Sequence, residues 1–600
     1  MCKLTQKAFF AAILTCTGLS FTSCKEQAPQ EPKIYSSYQE LPDPARDSVA
    51  QWTSTADGLN ASFVTIDKKF DKSVEPKIGE IQNKAQIRGW QGERLSAQLL
   101  LWSTQDIKEI EFKISDFQAP SHSLPASIAQ IRFVRYVMTD EFADGCGFRK
   151  PEDFKESLTP DVLDNITCMN LDANTVRPVW VSVAIPHGTP AGKYTATIEV
   201  LSETSKTKTF NLEVEVQNAD LPEPSTWTYH LDLWQHPAAV ARTENLEMWS
   251  DAHFEALKPV MKMLADAGQK VITATLNKDP WNHQCYDAYE DMITWTKNSD
   301  GSWTYDYTVF DRWINLMLDL GINKMINCYS VVPWNNELHY KDAATGELVN
   351  VQANPGSDIF NDIWHHFFVD FKKHLTEKGW LEITNVAMDE RTPEEMAATI
   401  EMLQKEAPEL GISYADNQKS YKKYPFVKDI SIAAGASFDL ADIIDRRERG
   451  LTTTYYVCCS DAFPNMFTFS ESPESVYAGW YALASGFDGL LRWAYNSWVE
   501  NPLTDSRFRT WPAGDTYIVY PEARSSIRFE RLVEGIQDVE KIKILRSKLK
   551  QSDSDKAKEL LDELNSTLDK FKTIKPEENY IDMLNQGKDL LYRITTELNK

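Results

Sequence analysis

Ile383-Thr384-Asn385-Val386-Ala387-Met388-Asp389-Glu390-Arg391-Thr392-Pro393 reads as a short buried strand that delivers two carboxylates and then opens a helix. Six mostly apolar residues are too few for a helix of their own, and Pro393 suits the first turn of the next one. The same rhythm recurs on both sides. Strands are expected at Thr228 to Leu233, Val271 to Leu276, Lys324 to Tyr329, Ile412 to Ala415, Ile430 to Ala434, Thr452 to Val457 and Gly489 to Tyr495. Helical stretches separate them: Asp251 to Ala267, Thr308 to Leu320, Asp358 to Leu375, Pro393 to Lys405 and Ser475 to Ser485. Eight strands with intervening helices over roughly 300 residues predict a (β/α)8 barrel with some long loops across 225–525.

Upstream the punctuation changes. Ala97 to Trp102, Ile131 to Val137, Trp180 to Ile185, Lys193 to Val200 and Phe210 to Val216 are short, β-rich and bounded by Gly, Pro and Asn. They predict an all-β sandwich over 50–220. Leu221-Pro222-Glu223-Pro224 is a stiff hinge, because proline fixes φ. Downstream, 526–600 is rich in Glu, Lys and Leu at helical periods. It is expected to pack on the barrel, a separate helical module being the alternative. The fold expected is therefore multidomain: a β-sandwich, a TIM-like barrel and C-terminal helices.

The N-terminus carries an export signal. Lys3 and Lys7 precede the apolar run Ala8 to Leu14, and Phe21-Thr22-Ser23 leads into Cys24. A basic region, an apolar region and small residues before a cut describe a secretory signal over 1–23. The small residues before Cys24 are similar to a bacterial lipobox, which would make Cys24 the lipidated first residue. Residues 24–49 would then be a Pro-, Gln- and Glu-rich tether. No later run is apolar for long enough to span a membrane, so membrane attachment through the lipid alone is expected. The implied location is the envelope of a Gram-negative bacterium, in the periplasm or at the cell surface. Of nine cysteines, Cys146 and Cys168 could pair, although spacing does not assign connectivity. Cys458-Cys459 reads as buried thiols. No cysteine or histidine spacing builds a metal centre, and no cofactor is expected.

A formal net charge of −25 argues against nucleic acid and against adhesion to anionic membranes by charge. Eighteen Trp and 23 Tyr suit stacking on sugar rings, although aromatic residues mostly fill cores. In a barrel, reacting groups sit at the C-terminal ends of the strands. The Asp-Glu dipeptide also occurs at Asp140-Glu141 and Asp562-Glu563, so it is position that singles out Asp389-Glu390. Other strand ends offer polar or stacking groups for a sugar: Trp234 and His236, Trp334 with Asn335 and Asn336, Asp416 with Asn417, and Trp493, Tyr495, Asn496 and Trp498. Trp334 and Trp498 are the preferred stacking faces.

The chain resembles glycoside hydrolase family 123, the N-acetyl-β-galactosaminidases, over nearly its whole mature length. In the β domain the resemblance rests on Trp90-Gln91-Gly92-Glu93-Arg94, Val134-Arg135-Tyr136-Val137, Gly145-Cys146-Gly147, Pro160-Asp161-Val162-Leu163, Pro178-Val179-Trp180 and Ala191-Gly192-Lys193-Tyr194. In the barrel it rests on Leu231-Asp232-Leu233-Trp234-Gln235-His236-Pro237, Met388-Asp389-Glu390 and Gly514-Asp515-Thr516. It continues through Tyr520-Pro521, Ser526-Ile527-Arg528 and Glu534-Gly535-Ile536-Gln537-Asp538. It implies hydrolysis with retention, in which the sugar's own 2-acetamido oxygen is the nucleophile and an oxazoline forms. Asp389 would orient the acetamido group and Glu390 would be acid and then base. The implied partner is a glycan or glycolipid oligosaccharide. A different glycone such as N-acetylglucosamine, or a non-catalytic carbohydrate-binding lipoprotein, are the competing expectations.

Overall fold

The computed structural model describes residues 32–48, 51–140, 155–508, 510–576 and 579–600. The expected signal segment, Cys24 and Cys146 lie outside them.

The N-terminal domain is β-rich, with two main sheets. One runs in the order Asn60–Val64, Arg94–Ser103, Thr175–Ala184, Ala129–Asp140, Glu156–Leu163. The other is built on Lys84–Gln91, Lys208–Asp220, Gly192–Leu201 and Ile107–Ile114. Gly192–Leu201 and Lys208–Asp220 alternate buried with exposed residues, as half-buried antiparallel strands do. Their inward residues Tyr194, Ile198, Phe210 and Val214 share one core with Leu99, Leu101, Phe133 and Val181 of the first sheet.

The segment read as a flexible tether departs from that reading over 32–48, which lies against this domain. Ile34 accepts the backbone N–H groups of Thr167 and Cys168. The Glu40 side chain is buried and takes Lys72, Arg135 and Arg177. Despite burial, the Arg177 guanidinium holds its carboxyl well below the usual range. Neither composition nor spacing reveals three cations waiting for one acid. Cys168 is a free buried thiol, so the pairing considered with Cys146 is absent. Cys459 is disulfide-bonded rather than a thiol, whereas Cys458 is free.

The C-terminal domain is a barrel of eight parallel strands, nearly closed. In chain order these are His230–Leu233, Val271–Thr275, Met325–Tyr329, Thr384–Met388, Gly411–Asp416, Asp429–Ala433, Thr452–Tyr456 and Gly489–Arg492. The first and last pair in parallel, His230 opposite Gly489. The first and second meet in a single bridge, Leu231 to Gln269. There Gln269 stands in for a ladder: its Oε1 accepts Leu233 N–H and its Nε2 donates to the carbonyls of Leu233 and Val271. Both faces of these strands are buried, which explains their near-continuous apolar runs.

Ten helices accompany them among the described residues: α1 Pro237–Thr243, α2 Asp251–Ala265, α3 Thr308–Asp319, α4 Asp358–Lys378, α5 Pro393–Glu406, α6 Leu440–Glu448, α7 Ser472–Ala484, α8 Ile527–Gln551, α9 Asp555–Asp569 and α10 Tyr580–Leu598. Helix α5 starts where the deciding stretch ends. Thr392 accepts Glu395 N–H while the Glu395 carboxylate accepts Thr392 N–H, a reciprocal cap. A four-stranded sheet, Trp303–Asp306, Thr294–Lys297, Glu337–Asp342 and Leu348–Gln352, rises from the loops after the second and third barrel strands. These four strands occupy stretches expected as long loops between barrel strands.

Helix α8 joins the domains. Its fully buried Arg528 donates to Asp161 of the β domain, and Glu530 takes Arg94 and Arg132. Against α7 it packs backbone to backbone: a Cβ on Gly479 would stand 2.8 Å from the Gly535 carbonyl oxygen. Among the described residues no helix is long and apolar enough to cross a membrane.

Candidate active site

The carboxylates reach one pocket because the fourth barrel strand stops in time. Along it Val386 and Met388 face the outer helices, while Ala387 faces the barrel interior. Continued alternation would send Asp389 in and Glu390 out. The strand ends at Met388 and the chain bends at Glu390, so both acids line a cavity of about 200 Å³ with Trp234, Gln284, Trp334, Tyr456, Trp493 and Trp511.

The two acids are held differently. Asp389 accepts the indole N–H of Trp334 at 3.2 Å and the backbone N–H of Glu390 at 2.9 Å. Glu390 accepts the Tyr456 hydroxyl. Burial pushes its carboxyl above the ordinary range, the Asp389 and Asp416 charges add to that, and Tyr456 and Arg391 oppose it. An acid whose carboxyl burial pushes up thus sits beside one that accepts two N–H donors, and unequal environments of this kind separate acid from charge-stabilising roles.

Arg391 braces this wall from behind. Its guanidinium lies 4.5 Å from the Trp334 ring and donates to the carbonyls of Val332 and Glu390. Trp334 is 40% exposed, the open face of the pocket. The floor is aromatic: Trp234 packs on Trp281 at 4.8 Å and on Tyr329 at 4.6 Å. Trp493 and Trp511 meet edge to face at 5.7 Å on the opposite side.

Several residues expected at the pocket are outside its lining. Trp498, a preferred stacking face, is fully buried and donates its indole N–H to the Val519 carbonyl. Tyr495 is equally buried and donates to the Val260 carbonyl. His236 stacks on Tyr289 at 3.8 Å, and its ring nitrogens meet Ser497 and the Ala288 carbonyl. Asn496 spends its amide on the His236 backbone, accepting its N–H and donating to its carbonyl. The Asp416 carboxylate is taken up by the N–H groups of Gln418 and Ser420 and the Ser420 hydroxyl. Asn335 bonds Glu337, Asn336 bonds Glu395, and Asn417 is exposed outside the lining.

Tyr456, Gln284, Trp511, Cys458 and Cys459 line the cavity but were not among the residues expected there. Tyr456 had a readable signal, since it ends the seventh strand as Met388 ends the fourth. Trp511 and Gln284 lie in loops far from any strand end, and one contact, Trp511 N–H to the Gln284 carbonyl, ties them together. Among the described residues, the acids and thiol close enough to share an ion are Glu109, Glu111 and Cys168, in the β domain. Lys33 already answers both glutamates.

Residues 234–545 match the family model "Glycoside hydrolase 123, catalytic domain", and residues 63–202 match "Glycoside hydrolase 123 N-terminal domain". The chain is similar to the solved structure of a family 123 glycoside hydrolase from Clostridium perfringens, described for glycolipid glycan hydrolysis. The two are 29% identical, with a TM-score of 0.81 over 90% of this chain and 98% of that one. A Bacteroides ovatus GH5 xyloglucanase is 10% identical over 76% of this chain and 98% of its own, and its TM-score of 0.28 carries no argument. No curated protein matches the chain. With both family models matched across the β domain and the barrel that holds the paired acids, the chain belongs to glycoside hydrolase family 123.

Proposed function

We propose that this glycoside hydrolase removes non-reducing terminal β-linked N-acetylgalactosamine with retention, through an oxazoline made by the substrate itself. The observation that carries the reading is the unequal treatment of two adjacent acids in one pocket, Asp389 between two N–H donors and Glu390 half-buried with its carboxyl pushed up by burial. Acids adjacent on one loop approach the sugar from one side. An enzyme with its own nucleophile instead places its two carboxyl groups across the bond.

In the first step the acetamido oxygen attacks C1, and the proton of Glu390 passes to the departing glycosidic oxygen as the C1–O bond breaks. Asp389 accepts the acetamido N–H, aims the carbonyl oxygen and stabilises the positive charge of the oxazolinium. Water then attacks C1 from the opposite side. Glu390 takes its proton, the bond from C1 to the acetamido oxygen breaks to restore the acetamido group, and two inversions leave the configuration unchanged. Holding the internal nucleophile in place supports effective molarities on the order of 10⁵–10⁸ M. Trp234, Trp334 and Trp493 supply ring faces for the pyranose.

The Clostridium perfringens relative, described for glycolipid glycan hydrolysis, supports a glycolipid oligosaccharide as substrate here. The N-terminal reading supports a lipid anchor at Cys24 on an envelope protein. A panel of aryl β-N-acetylgalactosaminide, β-N-acetylglucosaminide and β-galactoside tests the glycone, and proton NMR of the first-formed sugar tests the stereochemistry. Cleavage of the acetamido sugars alone, with the β anomer formed first, is the expected result. First formation of the α anomer, or equal cleavage of the galactoside, would defeat the reading.

A further inference from the structure

The layer of the barrel directly beneath the pocket is polar, where bulky aliphatic side chains usually fill a barrel interior. Asp232 on the first strand is 1% exposed, and Asp429, Asn327, Asn385, Ser413 and Ser431 are buried with it. Most of that layer satisfies itself. Asn327 donates to Ser413 and Asp429, Ser413 donates to Asp429, and Asn385 donates to Asn327. Asp232 does not take part: both of its carboxyl oxygens are buried without a full hydrogen bond. The indole N–H of Trp234, two residues on, is buried and equally unanswered.

The strand geometry pairs the two. Leu231 and Leu233 face the outer core, so Asp232 and Trp234 both face inward, one pleat apart. Gln269, the other amide nearby, has its oxygen and nitrogen committed to backbone groups. Burial pushes the Asp232 carboxyl up strongly and Asp429 adds to it, while the Trp234 and Gln269 N–H groups act against that rise. The two orphaned groups on one strand are therefore the natural partners of each other.

Building on the glycosidase reading above, we propose that Asp232 is a positioning residue of the active site, holding the Trp234 indole, and with it the aromatic floor, in register under the sugar. Trp234 touches Trp281 and Tyr329 and lines the cavity with Asp389 and Glu390. A tilt of that ring moves the glycone relative to both acids. Misplacement by about 1 Å can cost on the order of 10²-fold in rate.

The test is a double-mutant cycle in the full chain, read as kcat/KM on whichever glycoside the wild type cleaves best, with thermal unfolding alongside. Asp232→Asn keeps an oxygen that accepts the indole N–H and should stay within about 3-fold of wild type; Asp232→Val and Trp234→Phe should each lose about 10- to 10²-fold. In the Trp234→Phe background, Asp232→Val should add less than about 3-fold, because the contact is already gone. Additive losses would overturn the proposal, as would an Asn variant as poor as Val, or a Val variant that loses stability but no activity. If Asp232→Val fails to fold, Trp234→Phe decides, since full activity without the indole N–H removes the contact's purpose. A wild type that cleaves no acetamido sugar would sink the substrate reading and leave the cycle readable on another glycoside.

Discussion

Replacing Tyr456 with Phe probes the acid side of the site through one oxygen atom. The Tyr456 hydroxyl donates to a Glu390 oxygen from the end of the seventh strand, three places round the barrel from the fourth. A hydrogen bond to an ionised acceptor is worth about 1.5–3 kcal/mol and one to a neutral acceptor about 0.5–1.5 kcal/mol. The hydroxyl therefore favours the ionised form of Glu390 by about 1–1.5 kcal/mol. One pKa unit corresponds to about 1.36 kcal/mol, so Tyr456→Phe should raise the Glu390 pKa by about one unit. The sign is fixed: burial already pushes this carboxyl up, and Tyr456 is the largest influence opposing it. With Glu390 as the proposed acid, protonated to release the leaving group, the alkaline limb of kcat/KM should move to higher pH by about one unit. The plateau should fall about tenfold, since the freed carboxyl also loses its aim. The assay is kcat/KM against pH on a disaccharide ending in β-N-acetylgalactosamine, where protonation of a poor leaving group limits the rate. An alkaline limb that stays in place or moves to lower pH would refute the assignment of Glu390 as the acid.

Glu390→Gln should cost about 10²–10⁴-fold on such a disaccharide and far less on a nitrophenyl glycoside, which leaves without protonation. The same variant carries a stability signature: a carboxyl raised by folding contributes stability that is complete below its unfolded pKa and lost as pH rises through the folded one. The melting temperature of Glu390→Gln relative to wild type should accordingly improve more at pH 8 than at pH 4. Gly479→Ala should destabilise the enzyme by about 1–3 kcal/mol, seen as a lower melting temperature at unchanged kcat, because its new methyl would meet the Gly535 carbonyl at 2.8 Å. Cys24→Ala should release a folded, soluble protein, and intact-mass analysis should find the lipid on the wild type alone.

Much of the fold was legible because barrel strands are buried on both faces and stand out as short apolar runs. Each of the eight expected strands overlaps an observed one, and the shortest reading, Ile412 to Ala415, fell inside Gly411–Asp416. What escaped notice lacked that contrast. Thr294–Lys297 and Leu348–Gln352 are only partly buried, so their residues alternate weakly and sit among turn-formers that suggest loops. Helix α6 carries five charged residues in nine, with only Ile443 and Arg446 buried, and so shows almost no apolar stripe.

The site was legible in its acids and less so in its walls, and the reason is where strand periodicity stops. Reading Trp493 and Tyr495 as neighbours on one face assumes a strand as far as Tyr495. It ends at Arg492, and after the turn Trp493 faces the pocket while Tyr495 faces the outer core. The first strand repeats the lesson. It ends at Leu233, so Trp234 still lines the pocket while His236, of the same parity, is carried away as α1 begins at Pro237. At the fourth strand the same break works in the opposite direction. An uninterrupted strand would have separated Asp389 from Glu390, and the strand's end at Met388 followed by the bend at Glu390 brings them together. The chemistry of paired adjacent acids therefore depends on the strand stopping where it does. Lengthening it by one residue would turn Glu390 away from the cavity that Asp389 lines.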